Sequence, residues 1–297
     1  MELHFSQYNG LVYTSKPEMY TSWYRWGTGG DTLLAMFQVV PVPVLEDNYA
    51  YLVIDESTKE TAVVDCVEPT KVIKEVKKRS AKICMILTTH SHFDHAGGNK
   101  EMLTLLNNDN IPVYGGFNDF VDSVTREVKQ DDQIDLGSDT LIKVLYTPCH
   151  TQGHVCYHVS SKINSREGAV FTGDTLFVCG CGNFNSGTPE QMYEALYHKL
   201  GKLPEATEVY VGHEYTVKNI RFAFTVDPNN VVLKDKFKWA VSQRERGLPT
   251  VPSTIGCEKK TNPFMRVNEK AIREAAGQTD PIKVLAEIRQ RKNSWRD

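Results

Sequence analysis

The sequence lacks any long hydrophobic run. Its longest nearly apolar stretch, residues 33–45, contains Gln38 and two prolines and is shorter than the ~20 residues that span a bilayer. An excess of either charge is also missing, because 34 Lys and Arg stand against 37 Asp and Glu. Such a chain has no general attraction to nucleic acid or to anionic membranes. We therefore expect neither kind of partner.

Cys-x-x-Cys pairs are absent from the seven scattered cysteines. An odd, scattered set indicates reduced thiols rather than a disulfide framework. The N-terminus also lacks the apolar core of a secretory signal and the Arg-rich, acid-poor composition of a mitochondrial presequence. The predicted location is the cytoplasm, with mitochondria as the alternative.

The 297 residues leave room for two domains. Strand and helix patterns alternate up to His213, and helical patterns dominate after it. We therefore expect an N-terminal extension of unknown role (1–36), a mixed α/β domain (37–213) and a helical domain (214–297). The clearest predicted helices are 69–78, 98–106, 190–200, 217–226, 230–246, 269–276 and 281–291. The clearest predicted strands are 83–87, 111–114, 140–146, 154–159, 169–172 and 208–211.

The strongest local feature is His90-x-His92-x-Asp94-His95. On a strand, His95 would oppose the other three, and on a helix residues two apart do not face each other. One straight element therefore cannot bring all four to one ion. A loop at the end of a strand can, and it can also divide them between two ions.

Three further residues of ligand type, His150, Asp174 and His213, each follow a strand-like run close to a glycine. A single histidine in such a place is more often structural, but the neighbouring motif favours metal binding. Imidazole nitrogen and carboxylate oxygen suit zinc, and also iron or manganese. No cysteine belongs to the set, which indicates a catalytic site. The histidines without such a context, predicted to be structural or solvated, are His4, His154, His158 and His198.

With these motifs the chain resembles the metallo-β-lactamase superfamily and, within it, glyoxalase II, the hydroxyacylglutathione hydrolases. The resemblance runs from about Phe37 to the C-terminus. Its further matching segments are Asp47-Asn48-Tyr49, Gly97-Gly98-Asn99, Thr147-Pro148-Cys149-His150-Thr151, Phe171-Thr172-Gly173-Asp174-Thr175, Gly212-His213-Glu214-Tyr215-Thr216 and Asn262-Pro263-Phe264-Met265-Arg266.

The resemblance implies an α/β fold, an αββα sandwich followed by a C-terminal helical domain. It implies two divalent metal ions, zinc being favoured over iron or manganese. His90, His92 and His150 would bind one ion, and Asp94, His95 and His213 the other. Asp174 would bridge them, and Asp94 would also orient a shared hydroxide as the catalytic residue. The implied reaction is hydrolysis of S-D-lactoylglutathione to D-lactate and glutathione by a monomer.

Six residues are expected at the substrate because they stand at positions where the family contacts its thiol carrier: Asn183, Phe184, Asn185, Tyr215, Arg289 and Lys292. Tyr215, Arg289 and Lys292 match the family there. The family usually has Lys or Arg in place of Asn183 and an aromatic residue in place of Asn185. This departure leaves two alternatives open, a hydrolase for another thiol carrier and a poorly active regulatory or binding protein. A nuclease is disfavoured by the charge balance, and a one-iron sulfur dioxygenase by the complete second ligand set.

Overall fold

Two six-stranded β-sheets form the centre of the computed structural model, which describes residues 36–162 and 168–297. The predicted N-terminal extension and His4 therefore lie outside the described residues. The strands are β1 (Phe37–Val44), β2 (Asn48–Asp55), β3 (Glu60–Val64), β4 (Lys82–Leu87), β5 (Val113–Gly116), β6 (Arg126–Val128), β7 (Gln133–Leu136), β8 (Thr140–Tyr146), β9 (Val155–Ser161), β10 (Gly168–Gly173), β11 (Leu176–Phe177), β12 (Gly180–Cys181), β13 (Glu208–Val211) and β14 (Ser253–Thr254). The first sheet runs β1 to β6 in chain order, and the second has the order β14-β13-β10-β9-β8-β7.

The helices pack outside the sheets and make up most of the C-terminal third. They are α1 (Pro69–Lys78), α2 (Phe93–Ala96), α3 (Asn99–Leu106), α4 (Pro189–Tyr193), α5 (Thr216–Val226), α6 (Val231–Glu245), α7 (Ile255–Thr261), α8 (Lys270–Ala276) and α9 (Pro281–Ser294). None of the helices in the described ranges is long and apolar enough to cross a membrane.

Strand β2 shows how the layers form, because all eight of its residues are buried. Tyr51 faces the second sheet, where its ring lies 5.2 Å from Phe171 and 5.3 Å from Tyr210 between centroids. Its neighbour Leu52 faces the opposite way, into a second core that also contains Val72 of α1. Side chains alternate along a strand, so a strand covered on both faces is mainly apolar, and β2 has polar residues only at its ends, Asn48 and Asp55. The result is the layered α/β arrangement that the sequence predicts.

Most predicted elements are present, and two local predictions are wrong. The predicted helix 190–200 begins with α4 but continues as a π-helical turn, Glu194–Lys199. The predicted last strand is not the last, because β14 pairs antiparallel with β13. A strand of two residues has no alternation to read from the sequence. The domain division at residue 213 stays a prediction, and residues 36–297 form one compact unit.

Candidate metal centre and adjoining cavity

The seven candidate ligands follow four strands: β4, β8, β10 and β13. Asp94 and His95 lie in the short helix α2, and the other five lie in loops or turns. Within the histidine motif, His92 has an extended backbone and α2 begins immediately after it. The chain therefore changes direction between His92 and Asp94. This turn divides the motif between two positions, as the spacing predicts for a loop rather than a straight element.

The first group consists of three imidazoles. Nε2 of His90 lies 3.0 Å from Nδ1 of His92, and Nε2 of His150 lies 3.1 Å from the same Nδ1. His92 thus contributes Nδ1 to the group, whereas His90 and His150 contribute Nε2. Three nitrogen atoms that converge in this way are arranged as the ligands of one ion are.

The second group consists of Asp94, His95 and His213. The two Nε2 atoms are 3.3 Å apart, and Oδ2 of Asp94 lies 3.5 Å from His95 and 3.3 Å from His213. Ligands ~2.0–2.1 Å from a tetrahedral zinc ion are separated from one another by about 3.3 Å. The three distances therefore fit a zinc-sized ion.

Asp174 lies between the two groups. Its Oδ2 is 3.4 Å from Nε2 of His150, while its Oδ1 is 3.3 Å from Nε2 of His95 and 3.4 Å from Nε2 of His213. Oδ1 is fully buried and has no hydrogen-bond partner within the described residues. A buried carboxylate oxygen without a partner is unfavourable unless a cation or a donor occupies the space beside it. The donor set thus fits two bridged cations.

A second layer of contacts holds the ligand rings in place. Nδ1 of His95 lies 2.8 Å from Oδ2 of Asp65, and Nδ1 of His213 lies 2.9 Å from Oδ1 of Asp47. Nδ1 of His150 lies 3.0 Å from the main-chain oxygen of Asn183. A partner on Nδ1 leaves the Nε2 lone pair free to bind metal, which is the usual device at metal-binding histidines.

The charges around the second group favour a cation. Burial lowers the pKa of His90 and of His150, and it is the largest effect at both. At His213, the neighbouring carboxylates of Asp174 and Asp94 outweigh burial and raise the pKa to about 10. At His95, the charge of Asp174 likewise outweighs burial and raises the pKa. These carboxylates stabilise positive charge at the place where an ion would lie.

Sequence reasoning assigned no role to several residues that support the centre. Asp119 accepts from the main-chain N–H of Ser91 at 2.7 Å and from that of Gly153 at 2.9 Å, so it ties two ligand-bearing loops together. Asn48 donates to Oδ2 of Asp94 at 2.9 Å. Asn48 and Asp47 belong to a segment that carries the family resemblance, and this was the available signal. Nothing in the local sequence marks Asp65 or Asp119.

His154, predicted to be structural or solvated, is buried beside the centre. Its ring stacks on that of His90 with 4.9 Å between centroids, and its Nε2 accepts from the main-chain N–H of Asp174 at 3.1 Å. It thereby positions a candidate ligand without belonging to either ligand group.

A cavity of about 850 Å³ opens beside the metal centre. Its lining includes all six residues that the sequence predicts at the substrate: Asn183, Phe184, Asn185, Tyr215, Arg289 and Lys292. The ring of Tyr215 stacks on that of His213, with centroids 4.7 Å apart and planes 7° apart. The cavity and the centre therefore share a wall.

Arg289 and Lys292 both face this cavity from α9, as their spacing predicts. Arg289 is only 6% exposed and donates from Nη1 to the main-chain oxygen of Cys181 at 2.7 Å. Lys292 has its Nζ 5.0 Å from the ring centroid of Phe222 and 5.5 Å from that of Trp295. Arg289 thus also holds the loop that follows β12, while Lys292 is held by aromatic rings.

Two family models cover the described chain. The model described as "Metallo-beta-lactamase superfamily" matches residues 45–213, and the one described as "Hydroxyacylglutathione hydrolase C-terminus" matches residues 214–295. The chain belongs to the hydroxyacylglutathione hydrolase family.

Relatives agree with this membership, and a solved structure agrees with the fold. The chain is 52% identical to "Hydroxyacylglutathione hydrolase cytoplasmic" of Arabidopsis thaliana over 87% of this chain and 99% of the relative. It is 40% identical to "Hydroxyacylglutathione hydrolase" of Rippkaea orientalis over 87% of this chain and 100% of the relative. Among solved structures, ETHE1 from Myxococcus xanthus matches with a TM-score of 0.61 and 22% identity, covering 86% of this chain and 91% of that one. At that identity the likeness shows the fold alone.

Proposed function

We propose that this protein is a metal-dependent thioester hydrolase that converts S-D-lactoylglutathione to D-lactate and glutathione. The observation that carries the proposal is the pair of ligand groups bridged by Asp174, which opens into a cavity with a cationic wall. The names of the relatives at 52% and 40% identity support the same substrate.

Two divalent ions fit the donor atoms. His90, His92 and His150 would hold one ion, Asp94, His95 and His213 would hold the other, and Asp174 would bridge them. We propose zinc, with iron or manganese as alternatives; a solved relative of 23% identity and TM-score 0.52, TTHA1623, is described in a di-iron-bound form. Such ions would lower the pKa of water so that hydroxide is available at neutral pH, and would stabilise negative charge on a carbonyl oxygen.

Asp94 is the proposed catalytic residue. Its side chain is 36% exposed, unlike the buried His95, and Asn48 fixes its Oδ2 by a hydrogen bond of 2.9 Å. A carboxylate held in this way can accept a hydrogen bond from the attacking water and orient it towards the thioester carbon. The thiolate leaves readily because a thiol has a pKa near ~8.5, so the reaction needs no dedicated general acid.

The altered loop residue Asn183 is compatible with this function. Its side chain is exposed, and its main-chain oxygen is the partner of His150 Nδ1. The support given to the metal centre therefore comes from the backbone at this position. A change of side chain alters the contact with the thiol carrier and leaves the metal centre in place.

The alternative function is hydrolysis of a thioester of another thiol carrier, and Asn183 and Asn185 motivate it. A steady-state assay of thiol release from S-D-lactoylglutathione tests both, with His92→Ala and Asn183→Lys measured alongside. Turnover by the wild type that is abolished in His92→Ala supports the proposal and excludes a regulatory or binding protein. Turnover that appears only in Asn183→Lys favours a thioester of another thiol carrier. No thiol release by any of the proteins, with both metals bound, refutes hydrolysis of S-D-lactoylglutathione.

We further propose a cytoplasmic monomer. The name of the Arabidopsis relative supports the location. Fractionation of cells and light scattering of the purified protein test the two statements separately.

A further inference from the structure

Six charged side chains line the cavity: Asp47, Asp174, Lys218, Arg289, Lys292 and Arg296. Both carboxylates already contact candidate ligand histidines: Asp47 contacts His213, and Asp174 contacts His95. Within residues 36–162 and 168–297, none of the four cations forms an ion pair with a carboxylate. The cavity wall therefore carries positive charge that the protein itself does not neutralise, and an anionic ligand would do so.

Lys218 differs from the other three because it lies on α5, whereas Arg289 and Lys292 lie on α9 and Arg296 follows that helix. It is the third residue of α5, an eleven-residue helix with no acidic residue in its first turn. A cation near the positive end of a helix dipole is unfavourable. Helix stability therefore does not account for Lys218, and its side chain is exposed.

The charges of the two helices act on one another. Burial and the charge of Arg289 are the main causes that lower the pKa of Lys292 to about 8; the charge of Lys218 acts in the same direction, and Cys181 and Asp297 act against it. Lys218 and Lys292 line the same cavity, so their like charges oppose each other there. A ligand with two carboxylates would relieve this repulsion more fully than one with a single carboxylate.

We propose that Lys218 is a specificity-determining residue. Of the two carboxylates of the thiol carrier, it binds the one that Arg289 and Lys292 of α9 do not bind. This inference rests on the proposed function, because glutathione carries one carboxylate at each end. Arg289 and Lys292 are neighbours on α9 and suit one end. Lys218 faces the same cavity from α5 and suits the other.

The test compares wild type, Lys218→Met and Lys218→Arg on three thioesters. S-D-lactoylglutathione has both carboxylates, S-D-lactoyl-N-acetylcysteinylglycine lacks the γ-glutamyl one, and the glycine ethyl ester of S-D-lactoylglutathione lacks the other. Lys234→Met is the matched control, because Lys234 is an exposed lysine of α6 outside the cavity lining.

We expect Lys218→Met to raise KM for S-D-lactoylglutathione about tenfold, the size of one charge-assisted contact, with kcat changed less than about twofold. Lys218→Arg and Lys234→Met should both keep KM close to the wild-type value. The increase should disappear with one truncated thioester and persist with the other. An increase with all three substrates, or with none, would overturn the assignment.

Binding separates failure of this inference from failure of the proposed function. S-Methylglutathione, which cannot be hydrolysed, is titrated calorimetrically into the metal-loaded protein. Binding that Lys218→Met weakens about tenfold, without turnover of any thioester by the wild type, would refute the hydrolase and keep Lys218 as a ligand contact. Equal binding by both proteins would refute the role of Lys218, whatever the activity.

Discussion

Replacement of Asp65 by Asn tests whether the second ligand group holds a metal ion. Asp65 accepts from the main-chain N–H and the hydroxyl of Thr89, both at 2.8 Å, and its Oδ2 lies 2.8 Å from Nδ1 of His95. Its backbone has φ of 52°, a left-handed conformation that Asn tolerates as Asp does. The substitution therefore changes a hydrogen bond without changing the turn.

The change should act through the tautomer of His95. The carboxylate accepts a hydrogen bond from Nδ1–H and leaves the Nε2 lone pair free, but an amide N–H placed at Oδ2 would donate to Nδ1. The ring proton would then move to Nε2, which faces His213 and Asp94. Loss of such a partner lowers metal affinity about 10–100-fold, which is roughly 1.4–2.7 kcal/mol.

Competition with a chromophoric zinc chelator measures the affinities of both sites. Only the equivalent assigned to Asp94, His95 and His213 should lose affinity in Asp65→Asn. Asp55→Asn is the matched control, because it makes the same chemical change at a buried turn that contacts Thr140 rather than the metal centre. Unchanged affinity in Asp65→Asn, or equal weakening of both sites, would refute the reasoning.

Three further predictions concern stability and pH. Lys236→Met should destabilise the fold by about 3–5 kcal/mol in urea unfolding, because the buried Lys236 Nζ lies 2.7 Å from the buried carboxylate of Glu258, which would lose the cation that neutralises it. A loss below ~1 kcal/mol would contradict this. Hydrogen bonds, acting against burial, lower the pKa of Asp55 below its unfolded value of 3.8. The free energy of unfolding of wild type should therefore exceed that of Asp55→Asn by its full amount above pH 3.8, and this difference should shrink as the pH falls towards the folded pKa. A difference that grows on acidification would contradict this prediction. The pKa of Lys292 is lowered to about 8, so KM for S-D-lactoylglutathione should rise as the pH passes above 8 and the ammonium loses its charge. Lys292→Arg should flatten this rise because Arg stays protonated. An identical pH profile for both proteins would exclude Lys292 as the titrating contact.

The candidate ligands could be predicted from sequence because their signal is local. Four of them lie within six consecutive residues, and each of the other three follows a strand near a glycine. Their support could not be predicted in this way, because it is long-range. Asp65 is 30 residues from His95, and Asp47 is 166 residues from His213.

The cavity wall shows the same limit. The spacing of Arg289 and Lys292 predicts neighbours on one helix, but it does not reveal that Arg289 also holds the main-chain oxygen of Cys181, 108 residues away. The fold follows the same rule. Strand β8 has the predicted bounds, and its first five residues alternate between buried and half-buried positions, whereas β14 has only two residues and depends on pairing with β13.

The most direct test of a two-metal thioester hydrolase is a titration of metal-free protein with zinc, followed by thiol release from S-D-lactoylglutathione at each step. The account predicts that activity rises until two equivalents are bound, with kcat/KM of about 10⁴–10⁸ M⁻¹s⁻¹, and that His92→Ala stays inactive at every step. Full activity at one equivalent, or no thiol release at two, would contradict it.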